Sequence, residues 1–190
     1  MQKRAFDIMV SLVFICTLFP LFYVIIGAAI KLTSAGPVLF RQRRSGLENK
    51  PFTCLKFRTM VMNDEADTLQ AAGDDKRITT VGKFLRKTSL DELPQFINVL
   101  RGDMSIVGPR PHMLYHTEMY LALIPGYMRR LAVKPGITGV AQVLGYRGET
   151  PELADMARRM RLDLWYINHR SFKLDLCLFI YTFFDFLKMK

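Results

Sequence analysis

Residues 8–30 of this 190-residue chain read IMVSLVFICTLFPLFYVIIGAAI, an apolar run of 23 residues without a charged side chain. A helix of that length can cross a lipid bilayer, whose hydrocarbon layer is about 30 Å thick. A cleaved signal peptide has an apolar core of about 7–15 residues and a small-residue cleavage site. This run is longer and continues directly into Lys31. It therefore predicts a retained N-terminal membrane anchor.

Pro20 interrupts the anchor near its middle. Proline lacks a backbone N–H and clashes with the carbonyl four residues earlier, so it bends a helix. Residues 8–19 alone would rise only about 18 Å. Both flanks are basic, with Lys3 before the run and Lys31 after it, so the positive-inside rule assigns no outer end. A re-entrant helix–break–helix that enters and leaves by one face is favoured over a single span, and a buried soluble hairpin is the third alternative.

The composition indicates a membrane surface and an anionic partner. Half of the residues are hydrophobic, yet 27 Lys and Arg outnumber 17 Asp and Glu, for a net charge of +10. Phospholipid headgroups, nucleic acid and a phosphorylated substrate all fit that charge. The three cysteines form neither a CxxC pattern nor an even set, which indicates reduced packing residues in the cytoplasm. The pair His112 and His116 lacks the companions of a zinc site and is interpreted as structural.

Six further segments are predicted to be regular structure. Residues 38–40 and 51–57 form two short strands around a polar turn at 46–50. Apolar spacing predicts helices from Ser89 to a stop at Gly102, over 112–123, and over 151–166 with a basic face. The basic face of the helix over 151–166 carries Arg158, Arg159 and Arg161. Residues 176–187 form a helix too short to span, which packs into the core or lies at the bilayer interface.

The strongest candidate for chemistry is residues 89–95, SLDELPQ, where two adjacent carboxylates begin an amphipathic helix. Ser89 and Glu92 match a capping box, which is a purely structural alternative. Pro94 argues against that register, because it would be the fifth helical residue. If Asp91 caps the helix instead, Pro94 falls in the first turn. Asp91 then lies near free amide groups that attract anions.

Cationic side chains surround this acidic pair in sequence. Lys56 and Arg58 alternate by two, which puts both on one side of a strand. Arg110 is held between two prolines, and Arg147 lies in a glycine-rich loop. Arginine binds phosphate through two parallel hydrogen bonds. Together with the carboxylates, these residues predict a site for phosphate chemistry.

The chain resembles the monotopic phosphoglycosyl transferases, the bacterial sugar transferase family, over nearly its whole length. The motifs that carry the resemblance are residues 3–7 (KRAFD), 56–60 (KFRTM), 88–95 (TSLDELPQ), 102–111 (GDMSIVGPRP) and 134–139 (KPGITG). The resemblance implies a re-entrant helix, usually broken at Ser-Pro, whereas this chain has Phe19-Pro20. The expected fold is α+β and predominantly helical, one compact domain with interfacial amphipathic helices. Its membrane anchor is 1–31 and its catalytic domain is 32–190.

The resemblance also implies a two-step reaction in which a sugar 1-phosphate passes from a UDP-sugar to a polyprenyl phosphate, with release of UMP. Asp91 would be the nucleophile and Glu92 would help to hold Mg²⁺ together with Asp91. Asp163 matches another acidic position, which is either structural or supports the metal. Substrate-binding residues would be Lys56, Arg58, Arg110, Pro111 and Arg147.

Partners implied by the resemblance are the two substrates and membrane phospholipids, without nucleic acid; a homodimer is left open. The expected location is the bacterial inner membrane with the catalytic domain on its cytoplasmic face, and the reaction would begin glycoconjugate assembly. Residues 145–150 and the helix after them are similar to members that handle glucose or galactose. The competing hypotheses are a membrane-tethered nucleic-acid or lipid-binding protein and an aspartate-nucleophile phosphatase. The first lacks a recognised nucleic-acid module, and the second lacks an Asp-x-Asp arrangement at Asp91.

Overall fold

The anchor run forms two helices that meet at a sharp bend. The computed structural model describes residues 2–63, 75–148 and 152–187. Helix α1 (Gln2–Thr17) and helix α2 (Phe19–Thr33) are bent by 58° across Leu18. Pro20 lies in the first turn of α2, where it has no N–H to donate to the carbonyl of Cys16. The predicted break at this proline is confirmed.

One side of the bent pair packs on the domain and the other side is exposed. Phe19, Ile26 and Ile30 form a buried cluster with Phe57 and Leu85. Exposed apolar side chains cover the opposite side: Met9, Leu12, Val13, Leu21, Val24, Ile25 and Leu32. Such a patch marks an interaction surface, and the two helices are not fully buried in the domain. Among the described residues, neither helix is long and apolar enough to cross a membrane alone, although the bent pair together is.

A β-hairpin follows the anchor, as the sequence predicts. Strand β1 (Leu39–Ser45) pairs antiparallel with strand β2 (Pro51–Phe57), and Phe40 lies opposite Lys56. The turn contains a short 3₁₀ helix, Leu47–Asn49. Strand β1 continues to Ser45, beyond the predicted end at residue 40. The prediction stopped short because the second half of the strand is polar, and Arg41, Arg43 and Arg44 do not show the apolar alternation of a half-buried strand.

Helices make up most of the remaining domain. They are α3 (Thr80–Lys87), α4 (Gln95–Arg101), α5 (Leu114–Leu123), α6 (Val140–Val143), α7 (Leu153–His169) and α8 (Phe172–Leu187), with 3₁₀ turns at Leu90–Glu92 and Tyr127–Leu131. Strands β3 (Ser105–Val107) and β4 (Gly136–Thr138) pair in parallel. The α+β, predominantly helical class is therefore confirmed.

The predicted helix boundaries need correction at their starts. The helix expected from Ser89 begins only at Gln95, because Ser89 adopts a left-handed conformation and Leu90–Glu92 forms a separate turn. Its predicted stop is confirmed, since Gly102 caps α4 with a φ of 91°. The helix expected from 112 begins at Leu114. The one expected from 151 is described from Leu153, and Pro151 itself lies outside the described residues.

Polar side chains at the start of α1 attach the anchor to the domain. Asp7 is 3% exposed and accepts hydrogen bonds from Ser105 Oγ and the Ile106 amide, both at 3.0 Å. Arg4 donates to the carbonyls of Val99 and Leu100 at the end of α4. These bonds explain the KRAFD motif as a connection between α1, α4 and β3.

Replacement of Asp7 by Ala should destabilise the fold by about 2–4 kcal/mol, because it leaves the buried Ile106 amide and Ser105 hydroxyl without their acceptor. We expect Tm of the purified protein in detergent to fall by several degrees. Asp185→Ala is the matched control, since Asp185 is exposed on α8. Equal Tm values for the two variants would contradict the structural role of Asp7.

Candidate functional site

A cavity of about 740 Å³ lies between the hairpin, the turn Leu90–Glu92, the loop after β3, and α7. Seven of the eight residues that the sequence singled out line it: Lys56, Arg58, Asp91, Glu92, Arg110, Pro111 and Arg147. Asp163 does not. These seven side chains come from segments up to 91 residues apart in sequence, so the fold gathers the predicted site in one place.

The two carboxylates are presented by a tight turn. Ser89 has a φ of 57°, its amide donates to the carbonyl of Arg86, and its own carbonyl accepts from the Glu92 amide at 3.2 Å. Neither Ser89 nor Asp91 caps α4, because Pro94 occupies that position. The capping interpretation is therefore wrong.

Lys56 and Arg110 hold the carboxylate pair from two sides. Lys56 Nζ lies 2.6 Å from Glu92 Oε1 and 3.4 Å from Asp91 Oδ2. Arg110 binds both oxygens of Glu92, at 2.8 and 3.3 Å. Glu92 therefore has two counter-ions, whereas Asp91 has one longer contact.

This asymmetry separates the acidities of the two groups. Burial raises the pKa of Asp91 and neighbouring Glu92 adds to the effect, while Lys56 opposes it. Burial alone would also raise the pKa of Glu92, but Arg110 and Lys56 outweigh it and hold that pKa well below its usual value. Glu92 is the stabilised anion, and Asp91 is the more basic carboxylate of the pair.

The loop that carries Arg110 is positioned by a close approach of two glycines. The amide of Gly108 donates to the carbonyl of Thr138, and the amide of Gly136 donates to the carbonyl of Pro109. A Cβ on Gly136 would lie 2.1 Å from the Gly108 nitrogen, so no larger residue fits there. This crossing sets where the Pro109-Arg110-Pro111 segment leaves β3.

Arg58 lines the cavity, but the described hydrogen bonds of its guanidinium all go to the segment that follows α2. The guanidinium donates to the carbonyls of Ser34, Ala35 and Pro37, at 2.6 to 2.9 Å. Arg58 therefore connects the end of β2, the strand of Lys56, to the chain segment just after α2.

Two other predicted residues also make structural contacts. Arg147 donates to the carbonyl of Gln142 and to Ser89 Oγ, which places it beside the turn of Asp91. Asp163 is 2% exposed and forms an ion pair with Arg130 at 2.8 Å. Arg130 also donates to the Arg110 carbonyl at 2.8 Å, so Asp163 supports the Arg110 loop from below.

Two cations that line the cavity, Arg44 and Arg159, were not assigned to the site from the sequence. Arg159 was assigned to an exposed basic face, yet it is 3% exposed. A signal was present in the sequence, since Met156, Met160 and Asp163 lie on the same side of the helix at spacings of three and four and are also buried.

The chemistry of the carboxylate pair is compatible with a magnesium ion whose remaining ligands would be water and the phosphate oxygens of a bound substrate. Among the described residues, no group of three or more His, Cys, Asp or Glu side chains could hold a metal ion. Mg²⁺ is commonly bound by only one or two carboxylates together with water and phosphate oxygens. Asp91 and Glu92 supply that number of ligands.

The comparison with known proteins agrees with this chemistry. The model of the family described as bacterial sugar transferase matches residues 1–189. The UDP-glucose:undecaprenyl-phosphate glucose-1-phosphate transferase of Klebsiella pneumoniae is 53% identical over 96% of this chain and 39% of its own length. The enzyme of that name from Caulobacter vibrioides is 46% identical over 96% of this chain and 68% of its own.

A third relative carries a different sugar in its name. It is the UDP-N-acetylgalactosamine-undecaprenyl-phosphate N-acetylgalactosaminephosphotransferase of Aeromonas hydrophila, which is 42% identical over 95% of this chain and 42% of its own length. This chain spans about two fifths of the length of the Klebsiella relative, at 39%.

Replacement of Arg58 by Gln should detach the end of α2 from β2, because three carbonyls lose a charged donor. We expect the free energy of unfolding to fall by about 3 kcal/mol, which should be seen as a lower Tm in detergent. Arg43→Gln is the matched control, since Arg43 is exposed on β1 and should change stability by less than about 0.5 kcal/mol. An unchanged Tm with a raised KM would instead assign Arg58 to substrate binding.

Proposed function

Because this chain belongs to the bacterial sugar transferase family, we propose that it transfers a sugar 1-phosphate from a UDP-sugar to undecaprenyl phosphate and releases UMP. The observation that carries the proposal is the Asp91–Glu92 pair, with Asp91 buried and Glu92 partly buried, at a cavity lined by ten Lys and Arg side chains. A cavity with that excess of cations suits a substrate with several phosphate charges.

In the first step, a carboxylate oxygen of Asp91 attacks the phosphorus that bears the sugar. The new O–P bond forms as the bond from that phosphorus to the bridging oxygen breaks, and UMP leaves with the electron pair. The sugar phosphate is then held on Asp91 as an acyl phosphate. The contacts of Asp91 support this role, because its single long contact with Lys56 leaves it the less stabilised carboxylate.

Glu92, Lys56 and Arg110 prepare the site for that charge. Lys56 and Arg110 neutralise Glu92 before substrate binds and remain close enough to stabilise charge on the transferred phosphoryl group. Asp91 and Glu92 would hold Mg²⁺, which offsets the charge of the diphosphate when it is bound.

In the second step, a phosphate oxygen of the lipid attacks the same phosphorus and frees the Asp91 carboxylate. The lipid phosphate lies at headgroup depth, so the site must be held at that plane. The exposed apolar side of α1 and α2 supports a re-entrant anchor in the bacterial inner membrane, with the domain on the cytoplasmic face. Confinement of both partners to the membrane plane raises their effective concentration.

We propose UDP-glucose as the donor. The support is the name shared by the Klebsiella and Caulobacter relatives. The sequence similarity of residues 145–150 and the following helix to members that handle glucose or galactose agrees with it. The relative named for N-acetylgalactosamine is less similar, at 42% identity. A panel of UDP-glucose, UDP-galactose and UDP-N-acetylgalactosamine, scored by UMP release, tests this assignment.

Incubation of the full chain with Mg²⁺ and UDP-glucose, without lipid acceptor, should add the mass of one sugar phosphate to the intact protein. Asp91→Asn should carry no adduct, because the nucleophile is lost. Its rate of UMP release should fall by about 10³-fold or more. Asp185→Asn is the control and should behave as wild type. Unchanged UMP release by Asp91→Asn would exclude the covalent step, and sustained hydrolysis without acceptor would favour a phosphatase.

The anchor should leave the membrane by the face at which it enters. Gln2→Cys and Leu32→Cys, each in a chain with Cys16 and Cys177 replaced by Ser, should react with an impermeant maleimide only in inside-out vesicles. Buried Cys54 is retained, and Arg158→Cys on the exposed side of α7 marks the domain face. Labelling of the two anchor positions from opposite faces would establish a single span instead.

A further inference from the structure

Two buried side chains in the cavity wall have no role in the reaction as described so far. Arg159 on α7 and His112 in the loop after β3 both line the cavity, at 3% and 8% exposure. Arg159 Nη2 donates to the Gly148 carbonyl at 2.7 Å. In the part of the chain that the structure describes, Arg159 Nε and His112 Nε2 are buried and have no hydrogen-bond partner. Unpaired buried donors are unfavourable, so both nitrogens call for an acceptor.

The contacts of His112 are compatible with a proton on Nε2. Arg130 has only donors and directs one to the Tyr127 hydroxyl at 3.3 Å. The proton of Tyr127 is then available for Nδ1 of His112. Burial holds the pKa of His112 well below its usual value, and Arg130 and Arg159 add to the effect, so the ring is neutral. With Nδ1 as the acceptor of the Tyr127 proton, Nε2 carries the ring proton and acts as a donor, and this tautomer is part of the proposal below.

Among the residues that the structure describes, each carboxylate near Arg159 forms its ion pair with another cation. Asp163 forms its ion pair with Arg130, and Glu92 forms ion pairs with Lys56 and Arg110. No ion pair to Arg159 occurs within the described ranges. Burial, followed by repulsion from Arg110 and Arg130, lowers the pKa of Arg159 to about 10, which still leaves it cationic at neutral pH. An anion with several oxygens would satisfy this guanidinium and the nearby imidazole donor.

The loop that holds Arg159 also reaches the nucleophile. Arg147 contacts Ser89 at the turn of Asp91, and the adjacent Gly148 carbonyl holds Arg159. The same cavity thus extends from Asp91 to Arg159 and His112. In a diphosphate donor, the sugar-bearing phosphorus must be at Asp91, so the second phosphate lies further along the cavity.

We propose that Arg159 and His112 form a second phosphate subsite, which binds the nucleotide-side phosphate of the donor and retains it until UMP departs. This inference rests on the proposed function. The phosphate of the lipid acceptor has the same chemistry, and the experiment separates the two sources.

The test is equilibrium binding of UMP to the purified full chain, measured by calorimetry in detergent, with uridine as the ligand that lacks phosphate. Arg159→Gln should weaken UMP binding by roughly 10- to 100-fold, the effect of losing a charged hydrogen bond. Binding of uridine should not change. Arg158→Gln is the matched control, because Arg158 is adjacent in sequence and its own side chain is 59% exposed. This variant should leave UMP affinity within about twofold of wild type.

Two further variants keep the test informative if Arg159→Gln does not fold. Arg159→Lys retains the charge and should recover part of the UMP affinity. His112→Gln should weaken UMP binding by about 2- to 10-fold, the range for one neutral hydrogen bond. His169→Gln is its control and should bind UMP as wild type does, because His169 is exposed at the end of α7 and does not line the cavity.

Three results would overturn the subsite. UMP affinity in Arg159→Gln equal to that in Arg158→Gln would remove Arg159 from the donor site. A raised KM for undecaprenyl phosphate with unchanged UMP affinity would assign the two side chains to the lipid instead. A wild-type chain that binds no UMP would overturn the proposed donor itself, which is distinguishable from failure of the subsite alone.

Discussion

Two adjacent carboxylates lie largely out of solvent in one turn, Asp91 buried and Glu92 partly buried, and removal of an unpaired carboxylate from water costs several kcal/mol. Asp91 and Glu92 are tolerated because Lys56 arrives from β2 and Arg110 from the loop after β3. Neither cation is local in sequence to the turn. The hairpin, the β3–β4 crossing and the turn must therefore form together, since each supplies charge that the others need.

The supports of this arrangement are themselves buried ion pairs and hydrogen bonds. Asp163 pairs with Arg130, which donates a hydrogen bond to the Arg110 carbonyl. Because Lys56 and Arg110 both form close ion pairs with Glu92, the pKa of Glu92 is lowered, and Asp91, whose pKa is raised by burial, is the more basic carboxylate. A pair of identical functional groups thus acquires two different roles from the unequal distribution of two cations.

The anchor is joined to this site by polar contacts as well as by apolar packing. Asp7 binds β3, which leads into the Arg110 loop, and Arg58 binds the carbonyls after α2, two residues from Lys56. Directional bonds fix the orientation of the bent helices more strictly than apolar contacts can. The exposed apolar side of the helices and the cavity are therefore held in one fixed relation.

The sequence alone determined the apolar N-terminal helices, their break at Pro20, the hairpin, the stop at Gly102 and the residue types that line the cavity, because each depends on neighbours a few positions away. It did not determine that α4 begins at Gln95, that Arg58 binds the segment after α2, that Asp163 pairs with Arg130, or that Arg159 faces the cavity. A charged side chain can be solvated, paired with an opposite charge or directed at a ligand, and the neighbouring residues in the sequence do not distinguish these three situations. Only the packing of distant segments chooses among these, since burial makes each charge depend on a partner that the chain supplies from elsewhere.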